Sequence, residues 1–274
     1  MIKLTHNNNE ELATMAFDRQ SVLFDRLYGQ DTIVQYKRAR VREHVTKFLK
    51  PNSTLLELNA GTGEDAIYFA QQGHHVHATD ISEGMQQTLV KKVNYLGLNE
   101  HVSTEICSYN SLDGLNAKGP YDLIFSNFAG LNCTDDLERV LQFFPKLLKP
   151  GGVVTLVLLP QFCLWETLLM FRGKFKTAFR RFSADSGSPS HIEGVYFTCW
   201  YYNPSYITRS LRKYFDVLSI EGLCTIVPPS YIQGFAQKHP LMYRFLKGKE
   251  DKWKAMWPWK YIGDYYIISL IKKY

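Results

Sequence analysis

The spacing of apolar positions changes at residue 51. Upstream, residues 21–28 and 32–49 place apolar side chains three and four apart, and Gly29 interrupts them. That spacing predicts two helices with one buried face each. Downstream, short apolar runs alternate with helical patterns. Strands are predicted at 54–58, 75–80, 102–107, 121–126 and 153–159, with helices at 63–72, 83–96 and 135–148 between them. Ser82 is placed to cap the second of these helices at its start and Gly97 at its end. Strands joined by helical crossovers predict a parallel sheet with helices on both faces. The run 153–159 is apolar at every position but Thr155, as a central parallel strand requires.

The rhythm stops at 160–197, where an aromatic and basic block is followed by a Ser/Gly/Pro loop at 183–190. It resumes with a helix at 204–214 and a strand at 215–223. A second insertion, 225–262, precedes the last strand at 264–272. The expected architecture is a doubly wound α/β fold. Its seven-stranded, mostly parallel sheet has an antiparallel last strand. A helical cap (1–50) precedes the core (51–160), a helical lid follows (161–203), and residues 204–274 complete the core with the second helical lid at 225–262.

Candidate chemistry starts where the first strand meets Asn59-Ala60-Gly61-Thr62-Gly63. Strand, glycine turn and helix bring backbone close to a nucleotide-like ligand. A Cβ there would hold the ligand off, and such turns require positive φ. Asp80 ends the second strand, where a carboxylate can take both hydroxyls of a ribose. Thr62-x-x-Asp65 has the form of a capping box, so Glu64 and Asp65 are expected to serve the start of the next helix. The basic run Lys37-Arg38-Ala39-Arg40-Val41-Arg42 is expected on a solvated helix face.

Composition narrows the class. With 45% hydrophobic and 14% aromatic residues, the chain can bury a full core. No apolar run reaches the roughly 18 residues of a spanning helix, and the first ten residues lack a signal peptide's apolar centre. Five cysteines without a Cys-x-x-Cys spacing argue against a disulfide framework or zinc site. The expectation is a cytoplasmic protein with no metal. Charge is uneven: residues 1–160 hold 15 basic and 18 acidic side chains, residues 161–274 hold 17 and 8. The second half therefore suits an acidic substrate, a phosphate or a membrane surface, beside the plainer reading of a solvated basic face.

Four features in order resemble the class I S-adenosylmethionine (SAM)-dependent methyltransferases. They are Glu57-Leu58-Asn59-Ala60-Gly61-Thr62-Gly63, Asp80, Tyr121-Asp122-Leu123-Ile124-Phe125-Ser126-Asn127, and Leu147-Leu148-Lys149-Pro150-Gly151-Gly152. The resemblance covers about residues 51–160 and weakly 200–272. It implies SAM as cofactor, released as S-adenosylhomocysteine. It places Glu57, Asn59, Ala60, Gly61 and Gly63 around the methionine portion, and Asp80 with Ile81 at the ribose. Met85, Ser108 and Tyr109 fall near the adenine, and Asn127 and Phe128 where sulfonium and acceptor meet. Tyr36, with Tyr28 and Arg38, would fold over the cofactor from the N-terminal helices. Asn59 stands where the family pattern has glycine; asparagine tolerates left-handed backbone.

Two aromatic-rich insertions at the carboxyl ends of strands predict a lid over a small, largely apolar acceptor. An acid group on it would be drawn to Arg172, Arg180 or Arg181. His191 and Tyr196 are the expected catalytic pair, with His239 a further candidate base. No Asn/Asp-Pro-Pro-Tyr/Phe follows the fourth strand, so a nucleic-acid partner is not expected. Peripheral membrane contact through 171–182 is an added property that the basic and aromatic pattern allows, and the oligomeric state is open. Two other readings stand beside this one. One is a SAM-fold protein that does not methylate, such as a cyclase or a binding module. The other is an NAD(P)-dependent oxidoreductase, since Gly61 to Ala66 fits Gly-x-Gly-x-x-Ala.

Overall fold

The structure, a computed structural model, describes residues 6–182 and 187–274. Expectations for residues 1–5 and for 183–186 of the loop lie outside the described residues. Two N-terminal helices, α1 (His6–Tyr28) and α2 (Thr32–Thr46), meet at Gly29. Then come β1 (Thr54–Leu58), α3 (Glu64–Gln71), β2 (His75–Asp80), α4 (Glu83–Leu96), β3 (Val102–Ile106), β4 (Tyr121–Ser126), α5 (Leu137–Leu147) and β5 (Leu148–Leu158). Ser82 caps α4 by accepting the Met85 N–H, and Gly97 ends it in left-handed backbone. Both follow from the residue chemistry read above.

After β5 the chain forms α6 (Leu164–Leu168), α7 (Phe175–Phe179) and the strands β6 (Ser188–Ile192) and β7 (Val195–Cys199). It then enters α8 (Pro204–Leu211), β8 (Phe215–Leu223), α9 (Phe235–Lys238), α10 (Pro240–Trp253) and β9 (Tyr265–Lys272). The sheet runs β3-β2-β1-β4-β5-β9-β8. The pairs from β3 through β5 are parallel, and β9 is antiparallel to both neighbours. The first insertion departs from an all-helical lid, because β6 and β7 pair as a separate antiparallel hairpin.

Alternate strand residues enter opposite cores. Leu56, Ile124 and Leu156 pack with α5 and α8, while Leu55, Phe125 and Val157 pack with α2, α3 and α4. Burial on both faces is what the continuous apolar strands require. Strand order reverses beside β1, so the carboxyl ends of β1 and β4 flank the crevice where open α/β sheets bind ligands.

Candidate functional site

The loop after β1 carries positive φ at Asn59 (53°), Gly61 (55°) and Gly63 (79°). Asn59 adopts the left-handed region as its chemistry allows and fixes its amide by donating to Ser126 Oγ at 2.9 Å. A Cβ at Gly61 would meet nothing within 4 Å; the position faces open space and lines the cavity described below. Asp80 is set at the end of β2. Its Oδ2 accepts the Gly61 N–H and its Oδ1 the Ser82 N–H, both at 2.9 Å. Burial pushes the Asp80 carboxyl above its ordinary value, and those N–H donors pull it back.

After β4 the backbone is strained. Phe128 and Ala129 follow one another with φ of 49° and 61°, a conformation that costs non-glycine residues free energy and gathers at functional sites. Asn127 holds the bend: its Oδ1 accepts the Phe128 N–H and its Nδ2 donates to Asp65, each at 2.8 Å. The bend carries Phe128 beneath the Arg38 guanidinium, 4.8 Å from the ring centre.

Helix α1 covers the crevice. Asp18 accepts from Ser82 Oγ and from the Gly84 N–H. Asp25 accepts from Thr62 Oγ1 at 2.6 Å and Lys92 Nζ at 2.9 Å. Glu10 meets Ser108 Oγ, and Asn9 pairs with the backbone of Thr198 in β7. Between these straps lies a cavity of about 320 Å³, within the range of small-molecule sites. Its walls include Asn59, Gly61, Asp80, Ile81, Met85 and Tyr109. They also include Tyr28, Lys37, Arg38, Phe128, Ser230 and Tyr265, and Lys37 meets Ser230, Phe128 and Tyr265 directly. Gln20, also in the lining, has a buried Oε1 without a partner.

Lys37 is only 3% exposed. Its Nζ lies 3.4 Å from Ser230 Oγ, 3.9 Å from Asp264 Oδ2 and 4.6 Å above the Tyr265 ring. Burial alone would lower its pKa, but the neighbouring Tyr265 and Asp264 reverse this and hold it above the ordinary lysine value. Burial pushes the Tyr265 hydroxyl up to about 12, with Lys37 opposing. Near pH 7 this part of the cavity therefore presents an ammonium and a phenol, both protonated.

The structure brings together eight of the expected cofactor residues: Asn59, Gly61, Asp80, Ile81, Met85, Tyr109, Asn127 and Phe128 all line the cavity. Tyr28 and Arg38 do as well. Five expected residues do not. Glu57 is buried under the loop with Oε2 unpartnered; burial, and then the Asp65 charge, push its carboxyl well up. Ala60 and Gly63 hold the turn together, the Gly63 N–H donating to the Ala60 carbonyl at 2.9 Å, and Ser108 is engaged with Glu10 and the Asn110 N–H. Tyr36 points away, donating to Glu250 at 3.0 Å.

The expected catalytic pair needs correction. The His191 and Tyr196 rings pack at a tilt, centres 4.4 Å apart, on the exposed side of the hairpin, with Tyr196 66% exposed. Alternation along β6 turns their neighbour Ile192 into the cavity instead. His239 is also exposed, and no described histidine lines the cavity. The arginines of the first insertion are elsewhere too: Arg180 and Arg181 both hold Glu166, Arg181 also holds Asp264, and Arg172 is exposed. Cys163, Glu166 and Asp264 have ligand atoms within 4.8 Å of one another, and the Arg181 guanidinium already neutralises the two carboxylates.

The basic run of α2 is a second correction. Lys37, Arg38 and Arg40 are buried rather than solvated. Arg38 and Arg42 both grip Asp65, at 2.8 and 2.7 Å, and Arg40 holds Glu221 at 3.2 Å. Asp65 therefore does not cap α3; Gly63 occupies that position without a side-chain bond. Sequence reasoning also missed Glu10, Ala13, Phe17 and Phe24 of α1, and Lys37, Ser230 and Tyr265.

Known proteins resemble the core of this chain. Residues 55–152 match the family model described as a methyltransferase domain. A 150-residue stretch, 51% of this chain, is 28% identical to Uncharacterized methyltransferase sll0829 of Synechocystis sp., covering 65% of it. A 103-residue stretch, 38% of this chain, is 29% identical to the tRNA 5-carboxymethoxyuridine methyltransferase of Escherichia coli (strain K12), covering 39% of it. These matches span less than two thirds of either relative's own length. Among solved structures, the [4+2]-cyclase SpnF superposes with a TM-score of 0.62 at 16% identity over 97% of both chains; at that identity the likeness is one of fold.

Proposed function

We propose that this chain, a class I SAM-dependent methyltransferase by its core, methylates a small, largely apolar molecule that presents an electronegative oxygen to Lys37. SAM is the cofactor of this domain, and it supplies a methyl group already activated on a sulfonium. The observation that carries the reading is the cavity beneath α1. The Asp80 carboxylate and the bare Gly61 line it, and so do aromatic side chains and the buried Lys37 ammonium.

The chain's own residues position rather than react. Gly61 lets backbone approach the cofactor closely, and the Asp80 carboxylate, set in the cavity wall, is placed to accept from ribose hydroxyls. Phe17, Phe24 and α1 as a whole exclude water from the transfer. Alignment of this kind supplies roughly 7–11 kcal/mol of a barrier. Lys37 and Tyr265, both held protonated near pH 7, are not general bases there. The reading therefore favours an acceptor that arrives with its oxygen already anionic, held by the Lys37 ammonium and the Tyr265 hydroxyl.

Incubating the protein and SAM bearing a deuterated methyl group with extract of its source cells, followed by mass spectrometry, tests this. The reading expects the label in a small molecule whose acidic oxygen has become a methyl ester or methyl ether. Label in RNA would move the acceptor to the class of the Escherichia coli relative. Binding of SAM with no label in any product would favour the second reading, a SAM-fold protein that does not methylate, to which the SpnF fold likeness is relevant.

A further inference from the structure

Two segments outside the cavity expose large apolar side chains beside basic ones, several of which form no ion pair among the described residues. In the first, Phe171, Phe175, Phe179 and Phe182 are 77, 58, 51 and 53% exposed. Residues 167–182 contain Arg172, Lys174, Lys176, Arg180 and Arg181 and no acidic residue. Arg180 and Arg181 are consumed by Glu166; Arg172, Lys174 and Lys176 are exposed and have no ion pair among the described residues. In the second, α10 exposes Leu241 (73%) and Phe245 (62%) beside Arg244, Lys247 and Lys249. The two acids of that helix are committed elsewhere: Glu250 is buried against backbone N–H groups, and Asp251 pairs with Arg40. Both segments leave the sheet at its carboxyl edge, one after β5 and the other after β8.

We propose that these two segments form a docking surface for an anionic lipid bilayer, with the phenylalanines seated at the acyl boundary and the lysines and arginines among the headgroups. Exposed aromatic side chains flanked by unpaired cations are the composition of an interfacial membrane contact. A second copy of this chain is a poor occupant, because it would bring the same uncompensated positive charge against itself. Single-stranded RNA uses open ring faces for stacking. Here Phe162, Phe179 and Phe182 pack on one another with centroids 6.0–6.2 Å apart, which makes an apolar knob rather than a stacking platform. The surface lies at the sheet edge that carries the cavity, so an acceptor dissolved in the bilayer would be delivered beside it.

Co-sedimentation of the full chain with vesicles tests the proposal, independently of whether the protein methylates. With phosphatidylcholine vesicles containing roughly a quarter phosphatidylglycerol, most of the protein should pellet. With phosphatidylcholine alone little should, and high salt should release it. Each Lys or Arg near such a surface counts for about one kilocalorie per mole, so R172E/K174E/K176E should weaken binding by roughly 100-fold or more. F171S/F175S should also weaken it, with S-adenosylhomocysteine affinity and the far-ultraviolet circular dichroism of both variants unchanged. Failure to pellet with anionic vesicles would overturn the proposal, as would full retention of binding by the charge-reversed variant. A concentration-dependent dimer abolished by F171S/F175S, or RNA binding that anionic vesicles do not compete away, would assign the surface to that other occupant and overturn it too.

Discussion

Asn127 donates its side-chain N–H to Asp65 Oδ2 at 2.8 Å, tying the strained bend after β4 to a carboxylate buried under the glycine loop. Arg38 and Arg42 hold the same carboxylate from α2. Burial pushes the Asp65 carboxyl up, but the two guanidiniums overcome this and keep it below the usual carboxylate range. One buried anion thus fixes three segments around the cavity.

Asp65→Asn leaves the buried Arg38 without its counter-charge, the costly way to break such a pair. A loss of about 3–5 kcal/mol in unfolding free energy is expected, read by urea denaturation. A change under about 1 kcal/mol would contradict the assigned role.

Gly63→Ala should destabilise the fold from within the loop. The residue sits at φ 79°, and a Cβ would fall 1.9 Å from Leu89 Cδ1. Left-handed strain and overpacking together predict a cost of about 2–5 kcal/mol, seen as a lowered Tm. An unchanged Tm would mean the turn is not built as described.

The acid limb of the stability curve should contain a contribution from Glu221. Burial would raise its carboxyl, but the His44 hydrogen bond and the His44, Lys254 and Arg40 charges hold it down at about 2. A depressed carboxylate stabilises the fold above its unfolded pKa, near 4.5, and that contribution is lost as pH falls toward 2. Glu221→Gln should remove on the order of 2–3 kcal/mol of the pH dependence in that window. Denaturation curves at pH 6 and pH 3 that differ equally in wild type and variant would contradict this.

Much of the core was legible. Glycines and an aspartate at strand ends, with periods of two and three-to-four between them, specify β1 to β5 and the cofactor loop from local chemistry alone. The rest of the cavity was not legible, for physical reasons. The first turns of α1, His6-Asn7-Asn8-Asn9-Glu10-Glu11, are polar, and the small apolar face that follows, Ala13 and Ala16 beside Leu12 and Phe17, packs on a hairpin distant in sequence. Lys37 and its neighbours read as a wet face, because their partners Asp65, Glu221 and Asp264 lie far away in sequence. The hairpin had a readable signal: Glu193-Gly194, both at positive φ, between the alternating Val195, Phe197 and Cys199 and a short strand containing Pro189. Its brevity hid it among loop residues, and that put His191 and Tyr196 forward wrongly.

Lys37→Met separates acceptor from cofactor. The ammonium is argued to hold the acceptor's oxygen, so KM for the acceptor should rise about 10–100-fold, the worth of a charged hydrogen bond. Affinity for S-adenosylhomocysteine should stay within a few-fold. An equal loss for both ligands would make Lys37 a structural residue of the cavity instead.

The central claim is that the glycine bend and Asp80 together hold the adenosyl cofactor, and calorimetry tests it most directly. Titrating the full chain with S-adenosylhomocysteine should give saturable one-site binding, and Asp80→Ala, still folded by circular dichroism, should bind about 10–100-fold more weakly. Absence of heat with both SAM and S-adenosylhomocysteine, or equal affinity for the folded Asp80→Ala protein, would contradict the account.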